Sequence, residues 1–295
     1  MEKKKTPNVL YKYISPGVLE LILENKKLKF STPGEFNDPF DCNFSGYLGT
    51  VDMDKLFLKN MPRSWREKRS AIAKMMKNDK VFDGFHEMVL NSIEDLRIHW
   101  DSYINQYRVL CLTPEKNNIL LWSHYAVNHT GTVLGIDFSK ESFFNEIKPV
   151  GYPVKNTMID DYIKDTAEAM FRYISNHKMG FDVAMEQIDT FMNNDDNMNG
   201  LVGLFIKKLH PCFYVKKPFW SYEEEYRYVK LRDENDSEWL DFDLNSVSEV
   251  VFGIKTSIAE QASIINLVKD YGLSVPIYKA CKKNAEIKFE RLNLL

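Results

Sequence analysis

The spacing of short β-rich runs around two long helical stretches limits the folds open to this 295-residue chain. The β-rich runs lie near both ends and in the middle, whereas the stretches at about 51–105 and 157–209 have a helical pattern. Strands and helices that are segregated in this way are typical of an α+β protein. We therefore expect one elaborated α+β domain over residues 1–295, with helical insertions at those two places.

The stretch Leu28–Asp41 is expected to hold small polar groups in a fixed position. It begins as a strand, breaks at Pro33-Gly34 and then turns at Asn37-Asp38-Pro39. Asn and Asp before a proline favour a turn in which their side chains bond nearby backbone, and Phe36 and Phe40 are expected to anchor the loop in a core. Rigidly placed polar side chains are what a ligand site needs.

The chain opens with a strand, a helix and a second strand. This arrangement puts Lys12 on the first strand and Ser31 and Thr32 at the end of the second. We expect the two strands to be sheet neighbours. Tyr11 and Tyr13 flank Lys12 and must therefore point to the opposite face.

Glu223, Glu225 and Arg227 form the second informative pattern. In a strand these alternate residues share one face, which would be left free for chemistry while the aromatic residues between them are buried. In a helix, Glu223 and Arg227 would instead form an ordinary i,i+4 pair. Aromatic alternation favours the strand. Two close carboxylates raise one pKa, and an arginine favours the ionised form, so the group suits acid–base work or stabilisation of a cationic transition state.

No metal or redox signature is present. The 4 cysteines are far apart and lack a C-x-x-C pair. His124 and His129 miss the i,i+4 spacing with which two histidines on one helix share a metal, so we predict no metal site.

Charge and hydropathy restrict the partners. The net charge of −3 argues against a polycation, although residues 51–80 contain 9 Lys/Arg against 4 Asp/Glu, a run that is usually a solvated helix face and less often a nucleic-acid contact. The amino terminus lacks the apolar core of a signal peptide, and no apolar run approaches the ~20 residues that cross a bilayer. We expect a cytoplasmic protein with no membrane association.

The chain resembles the DUF2971 family of bacterial and phage proteins, whose name conveys no activity. The resemblance is carried, in chain order, by Leu10–Tyr13, Phe30–Pro33, Phe36–Phe40, Leu121–Ala126 with His129 and Gly131, and Trp220–Arg227.

A second resemblance is to the ADP-ribosyltransferase fold, which also opens with strand, helix and strand and binds NAD in a cleft of a split β core. It implies that Lys12 contacts the phosphate or ribose of NAD, and that Ser31 and Thr32 support the nicotinamide pocket. It further implies that Glu225, beside Arg227, orients the nicotinamide ribose while Glu223 activates an acceptor.

The same resemblance implies that Phe36 or Trp122 stacks on the nicotinamide. The expected nucleotide site is completed by neighbouring side chains, namely Tyr11, Asn37, Asp38, His124 and Tyr125. Such an enzyme would cleave NAD and transfer ADP-ribose to a protein or nucleic-acid acceptor, as a toxin or defence effector does.

Two other functions fit the residues. Asp38, Asp41, Glu223 and Glu225 are oxygen ligands of the kind that Mg²⁺ prefers, as in a nuclease or phosphodiesterase. Alternatively, the motifs are structural in a non-catalytic binding module, where Asn37, Asp38 and Arg227 would form a buried network between two loops.

Overall fold

The computed structural model describes residues 6–44, 52–68, 96–155, 158–180, 209–232 and 238–293, with single positions at 70, 72, 93, 94, 183 and 184. Much of the basic run 51–80 and of the two predicted helical insertions lies outside the described residues.

The described strands and helices alternate irregularly along the chain. The strands are β1 (Val9–Ile14), β2 (Lys27–Lys29), β3 (Tyr107–Leu112), β4 (Thr132–Asp137), β5 (Lys148–Pro149), β6 (Tyr226–Leu231), β7 (Trp239–Asp241), β8 (Val247–Phe252), β9 (Ile277–Lys283) and β10 (Glu286–Arg291). The helices are α1 (Val18–Asn25), α2 (Met53–Asn60), α3 (Ile119–His124), α4 (Met158–Asn176) and α5 (Ile258–Asp270).

Several sheets and separate helices give an α+β architecture, which confirms the predicted class. The largest sheet has the order β1-β4-β8-β9-β10, with only β8 and β9 parallel among its neighbours. The second sheet has the order β3-β6-β5, and β2 pairs with β7. All of these strands belong to the first of two compact units, residues 1–39, 104–152 and 214–295.

The second unit consists of residues 40–103 and 153–213 and includes α2 and α4. In it, the Phe57 and Phe171 rings meet edge to face at 5.0 Å, and Trp65 Nε1 donates to the Met179 carbonyl. The predicted insertions 51–105 and 157–209 fall largely within its two segments, and the single-domain assignment stays a prediction.

Local sequence explains the ends of several helices in the first unit. Asn118 accepts hydrogen bonds from the backbone N–H groups of residues 120 and 121, and Ser257 accepts one from residue 260. Both residues are favoured N-caps because their side-chain oxygens satisfy donors that the first helical turn leaves open. These side-chain caps mark where α3 and α5 begin.

The core of the first unit joins one face of the large sheet to α1 and α5. Leu10 and Val250 of the sheet are buried with Leu19 and Ile264 of the two helices. Each such side chain contributes roughly 1.5–3 kcal/mol when it is fully removed from water. This core fixes β1, and with it the position of Lys12.

The expectation that Lys12 and Ser31 lie on neighbouring strands is wrong. The neighbour of β1 is β4, and the neighbour of β2 is β7. The strand that approaches both segments is β3, because Val109 exchanges backbone hydrogen bonds with Ser31 while Thr113 exchanges them with Tyr11. Long-range pairing with β3, which local patterning cannot reveal, determines how the first two strands are arranged.

The strand ends before Pro33, as expected, and a short helical turn follows. Residues Pro33–Glu35 form a single 3₁₀ turn, and the Glu35 carboxylate accepts a hydrogen bond from the Thr32 backbone N–H at 3.0 Å. Phe36 is half-buried, but Phe40 is 60% exposed. The prediction that both rings anchor the loop is therefore wrong for Phe40.

No helix of the described residues is both long enough and apolar enough to span a bilayer.

Gly131 provides a test of this packing. A Cβ at this position would lie 2.0 Å from the Ile14 carbonyl oxygen, so the backbone would have to move. We expect Gly131→Ala to lower the free energy of unfolding by about 3 kcal/mol or more, measured by urea denaturation. Gly151→Ala is the control, because its Cβ would meet nothing closer than 3.7 Å. Equal stability of the two variants would contradict this packing.

Candidate functional site

The segment before β6 is a turn, and the strand that was predicted to start there begins later. Pro218–Glu223 form a 3₁₀ helix, Glu224 takes a left-handed conformation with φ of 45°, and β6 starts at Tyr226. Proline favours the first position of a helix, and the left-handed residue reverses the chain. Strand alternation therefore does not align Glu223 and Glu225.

The turn nevertheless brings the two carboxylates into one ion cluster. Lys216 Nζ lies 2.7 Å from Glu223 Oε2 and 3.4 Å from Glu225 Oε2. Arg227 donates through Nε to Glu225 Oε1 at 2.7 Å and through Nη2 to Oε2 at 3.1 Å. This two-point contact is the strong geometry of an arginine–carboxylate pair.

The cluster is buried. Arg227 is only 1% exposed, and the Lys216, Glu223 and Glu225 side chains are also buried. The Lys216 ammonium lies 4.6 Å from the centre of the Trp220 ring, and the Arg227 guanidinium lies 5.0 Å from that of Phe36. The prediction of a charged face left free beside a buried aromatic face is therefore wrong, because the aromatic rings cover the charges.

The two carboxyl groups have opposite pKa shifts. Burial alone would raise the pKa of Glu225, but Arg227 and Lys216 outweigh it and lower this pKa to about 2. For Glu223, burial raises the pKa, and the attraction of Lys216 only partly counters the rise. Adjacent carboxyl groups whose pKa values differ are suited to different chemical roles.

Lys216 was not identified from the sequence as a site residue. Lys217 is adjacent, has the same side chain and is exposed, so nothing local distinguishes the two. The deciding factor is the placement of Gly151 and Tyr214, since Lys216 N donates to the Gly151 carbonyl while Gly151 N donates to that of Tyr214. These bonds orient the chain so that Lys216 faces the carboxylates.

Tyr125 links α3 and the loop after β2 to the cluster. Its hydroxyl lies 2.8 Å from Glu223 Oε1 and 3.3 Å from Asn37 Oδ1. Burial and the charge of Glu223 raise its pKa, so the hydroxyl remains a donor. His124 is exposed, and its ring centre lies 6.3 Å from that of Trp220.

Lys12 comes near the cluster from the first strand. It is half-buried, and burial lowers its pKa while the charges of Cys111 and Glu225 act in the opposite sense. Cys111 stands opposite Arg227 in the β3–β6 pairing, and burial raises the pKa of its thiol. The charge of Glu225 thus acts on Lys12, whereas the predicted NAD cleft around Lys12 and Glu225 stays a prediction.

The residues of the loop after β2 differ in their contacts and burial. Phe36 contacts Arg227 through its ring, and exposed Asn37 contacts Tyr125. Ser31 is half-buried and paired through its backbone with Val109. The half-buried Thr32 caps the 3₁₀ turn, and Asp38 is buried.

Two of the predicted ligand contacts lie elsewhere. Trp122 is 0% exposed, stacks on His129 and donates through Nε1 to the Lys116 carbonyl, so it cannot stack on a nicotinamide. Tyr11 points away from Lys12, and its hydroxyl donates to Glu249 at 2.7 Å. Both corrections have the same cause. The large sheet is packed on both faces, and the face opposite α1 and α5 buries Trp122 beside Tyr11.

Lys216 lies between the two carboxylates at the place where a metal ion would bridge them. Among the described residues, no group of three or more His, Cys, Asp or Glu side chains is arranged to hold a metal ion. The alternative with Asp38, Asp41, Glu223 and Glu225 as Mg²⁺ ligands stays a prediction. Between Glu223 and Glu225, the Lys216 ammonium supplies the positive charge that a cation would bring.

The comparison with protein families falls on this part of the chain. Residues 121–228 match DUF2971. This family is described as a protein of unknown function, and the match includes Tyr125 and the complete segment from Lys216 to Arg227. The predicted DUF2971 resemblance is thus confirmed over the matched residues, whereas the motifs before residue 41 lie outside them. Searches of the curated proteins and of the solved structures gave no significant match.

The cluster within the DUF2971 segment provides a stability test. Replacing Lys216 by Met removes one cation and leaves buried carboxylates undercompensated, which costs about 3 kcal/mol or more. We expect this loss for Lys216→Met in urea unfolding. Lys217→Met is the matched control, because Lys217 is the exposed neighbour. A loss of the same size in both variants would show that the ion cluster does not explain the effect.

The opposite pKa shifts of Glu225 and Glu223 predict that these two carboxyl groups change the free energy of unfolding in opposite directions as the pH falls. The pKa of Glu225 is depressed on folding, so its stabilisation is present above about pH 4.3 and is lost as pH falls towards 2. We expect the stability gap between wild type and Glu225→Gln to narrow over this range by an amount on the order of 3 kcal/mol.

Glu223→Gln is the matched control for the pH measurement. Because folding raises the pKa of Glu223, the wild type should gain stability relative to this variant as pH falls through that raised value. Urea midpoints measured from pH 2 to 7 give both trends. Parallel curves for the two variants would contradict the assignment of opposite shifts.

Proposed function

We propose that the chain is an ADP-ribosyltransferase-like enzyme that cleaves NAD and transfers ADP-ribose to a protein or nucleic-acid acceptor. The proposal includes the finer fold assignment, a split β core of that type with Lys12 on its opening strand. The observation that supports it is the Glu225 carboxylate, which Arg227 holds at two points beside Glu223, on a pair of strands that also contacts β1 next to Lys12.

Glu225 suits the stabilisation of a cationic transition state. Cleavage of the bond between the ribose C1′ and the nicotinamide nitrogen leaves positive charge on the ribose ring, and a fixed carboxylate lowers the energy of that state. Its two-point contact with Arg227 holds Glu225 in position, and its lowered pKa keeps it ionised at neutral pH.

Glu223 suits proton transfer. In the second half of the reaction, an acceptor oxygen or nitrogen forms a bond to C1′ and loses a proton. A carboxylate with a raised pKa is the better base for that proton, because its pKa lies nearer to the working pH. Tyr125 and Lys216 fix the Glu223 carboxylate from two sides.

The surrounding residues fit a dinucleotide. Half-buried Lys12 offers a cation for a phosphate or ribose, and half-buried Phe36 offers a ring for stacking. Ser31 and Thr32 lie at the start of the same loop, where they would support the nicotinamide pocket. Exposed Asn37 adds an amide at the surface.

A non-catalytic module is the alternative that a specific observation favours. Every charge of the ion cluster has a partner, and Tyr125 connects it to Asn37 as a network between two loops would require. This differs from the predicted network, because Tyr125 and Glu223 carry the connection. Under this alternative, substitutions in the ion cluster change the stability of the fold, and the wild type has no catalytic activity for them to remove.

Nicotinamide release from NAD tests the proposal. Glu225→Gln should lower the rate by about a hundredfold or more, the usual effect of removing one electrostatic stabiliser. Thermal unfolding with added NAD should still show binding, which separates lost chemistry from lost folding.

Glu224→Gln is the control, because Glu224 is the exposed residue between the two carboxylates. It should retain the wild-type rate. If wild type releases no nicotinamide and NAD leaves its melting temperature unchanged, the transferase proposal fails and the non-catalytic alternative stands.

A further inference from the structure

A second charged cluster lies on the other face of β1, where Lys116 enters a ring of aromatic side chains. The Lys116 ammonium lies 5.5 Å from the ring centre of Tyr11, 5.2 Å from that of Tyr278 and 5.4 Å from that of Phe289. It is also 2.7 Å from each carboxylate oxygen of Glu249. We call Tyr11, Tyr278, Phe289 and Glu249 the ammonium cage.

Gly135 makes the cage possible. Its strand, β4, lies between β1 and β8, and Gly135 pairs with Tyr11 on one side and with Glu249 on the other. A Cβ at Gly135 would lie 2.9 Å from Glu249 Cγ and 3.0 Å from Tyr11 Cε1. Because Gly135 has no side chain, the Tyr11 hydroxyl reaches Glu249 at 2.7 Å, and this hydrogen bond holds the two cage residues together.

The cage is more elaborate than a surface ion pair requires. Exposed lysine–carboxylate pairs contribute about 0–1 kcal/mol and need no aromatic walls. Rings placed around one cation, by contrast, are the arrangement with which proteins bind alkylammonium groups. The Lys116 side chain is 28% exposed and that of Glu249 is 11% exposed, so the cage opens to solvent on the Lys116 side.

Lys116 also belongs to the loop that holds the backbone of the carboxylate cluster. At one end of this loop, Thr113 Oγ1 donates to the Glu223 carbonyl at 2.7 Å. At the other end, Asn118 Nδ2 donates to the Tyr222 carbonyl at 2.7 Å. Residues 113–118 therefore connect the cage to the turn that carries Glu223.

We propose that the ammonium cage is a binding site for an alkylammonium ligand, which exchanges with the Lys116 ammonium. The chemical class is a primary or methylated ammonium on a short alkyl chain, since the rings and one carboxylate select positive charge with apolar substituents. The binding step is independent of the transferase proposal, and its tests need no NAD.

The first test removes the Lys116 ammonium from the cage by substitution. Lys116→Ala should melt at a lower temperature than wild type, and n-propylammonium chloride should raise that temperature by about 2 °C or more by binding the folded form. Sodium chloride at equal ionic strength and n-propanol at equal concentration should not. An equal shift from n-propanol would overturn the proposal, because it would show that charge is not recognised.

Two variants serve as controls. Lys116→Ala with Glu249→Gln lacks the carboxylate, so n-propylammonium should no longer raise its melting temperature. Lys140→Ala removes a lysine whose ammonium bonds only to carbonyl and carboxylate oxygens among its described partners, and it should respond no more than wild type. A response that persists in the double variant would place ammonium binding outside the cage.

The second test uses the wild-type chain and decides the matter if Lys116→Ala does not fold. The ε-methylene protons of Lys116 lie near aromatic rings and should resonate upfield of other lysines in NMR spectra. Tetramethylammonium should move this signal towards the position of a free lysine, while sodium chloride at equal ionic strength should leave it in place. A signal that does not move at saturating tetramethylammonium would show that Lys116 is a fixed structural group and would overturn the proposal.

Discussion

The pairing of two buried carboxylates with two buried cations is the constraint on which the site depends. Glu223 and Glu225 are separated by one residue, and neither could remain charged in the interior without compensation. Lys216 supplies one positive charge to both, and Arg227 adds a second to Glu225. This unequal sharing explains why one pKa falls while the other rises, and it gives two chemically similar side chains different properties.

The same pairing determines which chain segments must meet. Arg227 lies in β6, whose partner β3 also contacts β1 and the residue that follows β2. Tyr125 reaches Glu223 from the end of α3, and Phe36 lies against Arg227 from the loop after β2. The ion cluster is thus the point at which the early strands, α3 and the late turn are joined. Through Tyr125, the buried cluster is also connected to exposed Asn37.

The loop of residues 113–118 links two charged centres that lie on opposite faces of β1. On one side it holds the carbonyl groups of Tyr222 and Glu223, and on the other its Lys116 enters the ammonium cage. Residues of the DUF2971 segment and residues on both sides of it contribute to this connection.

The sequence by itself determined the local elements: the α+β class, α3 with its cap at Asn118, α5 with its cap at Ser257, and the turn at Pro33. Alternation, capping and proline geometry act over a few residues, so they can be read without the fold. Part of the candidate site was also accessible, because Glu223, Glu225 and Arg227 are close in the chain. Only the tertiary structure selected Lys216 over Lys217, buried Trp122, turned Tyr11 towards Glu249 and brought Lys12 near Glu225. These outcomes depend on which strands pair across long separations, and side-chain identity at one position carries no record of a partner a hundred or more residues away.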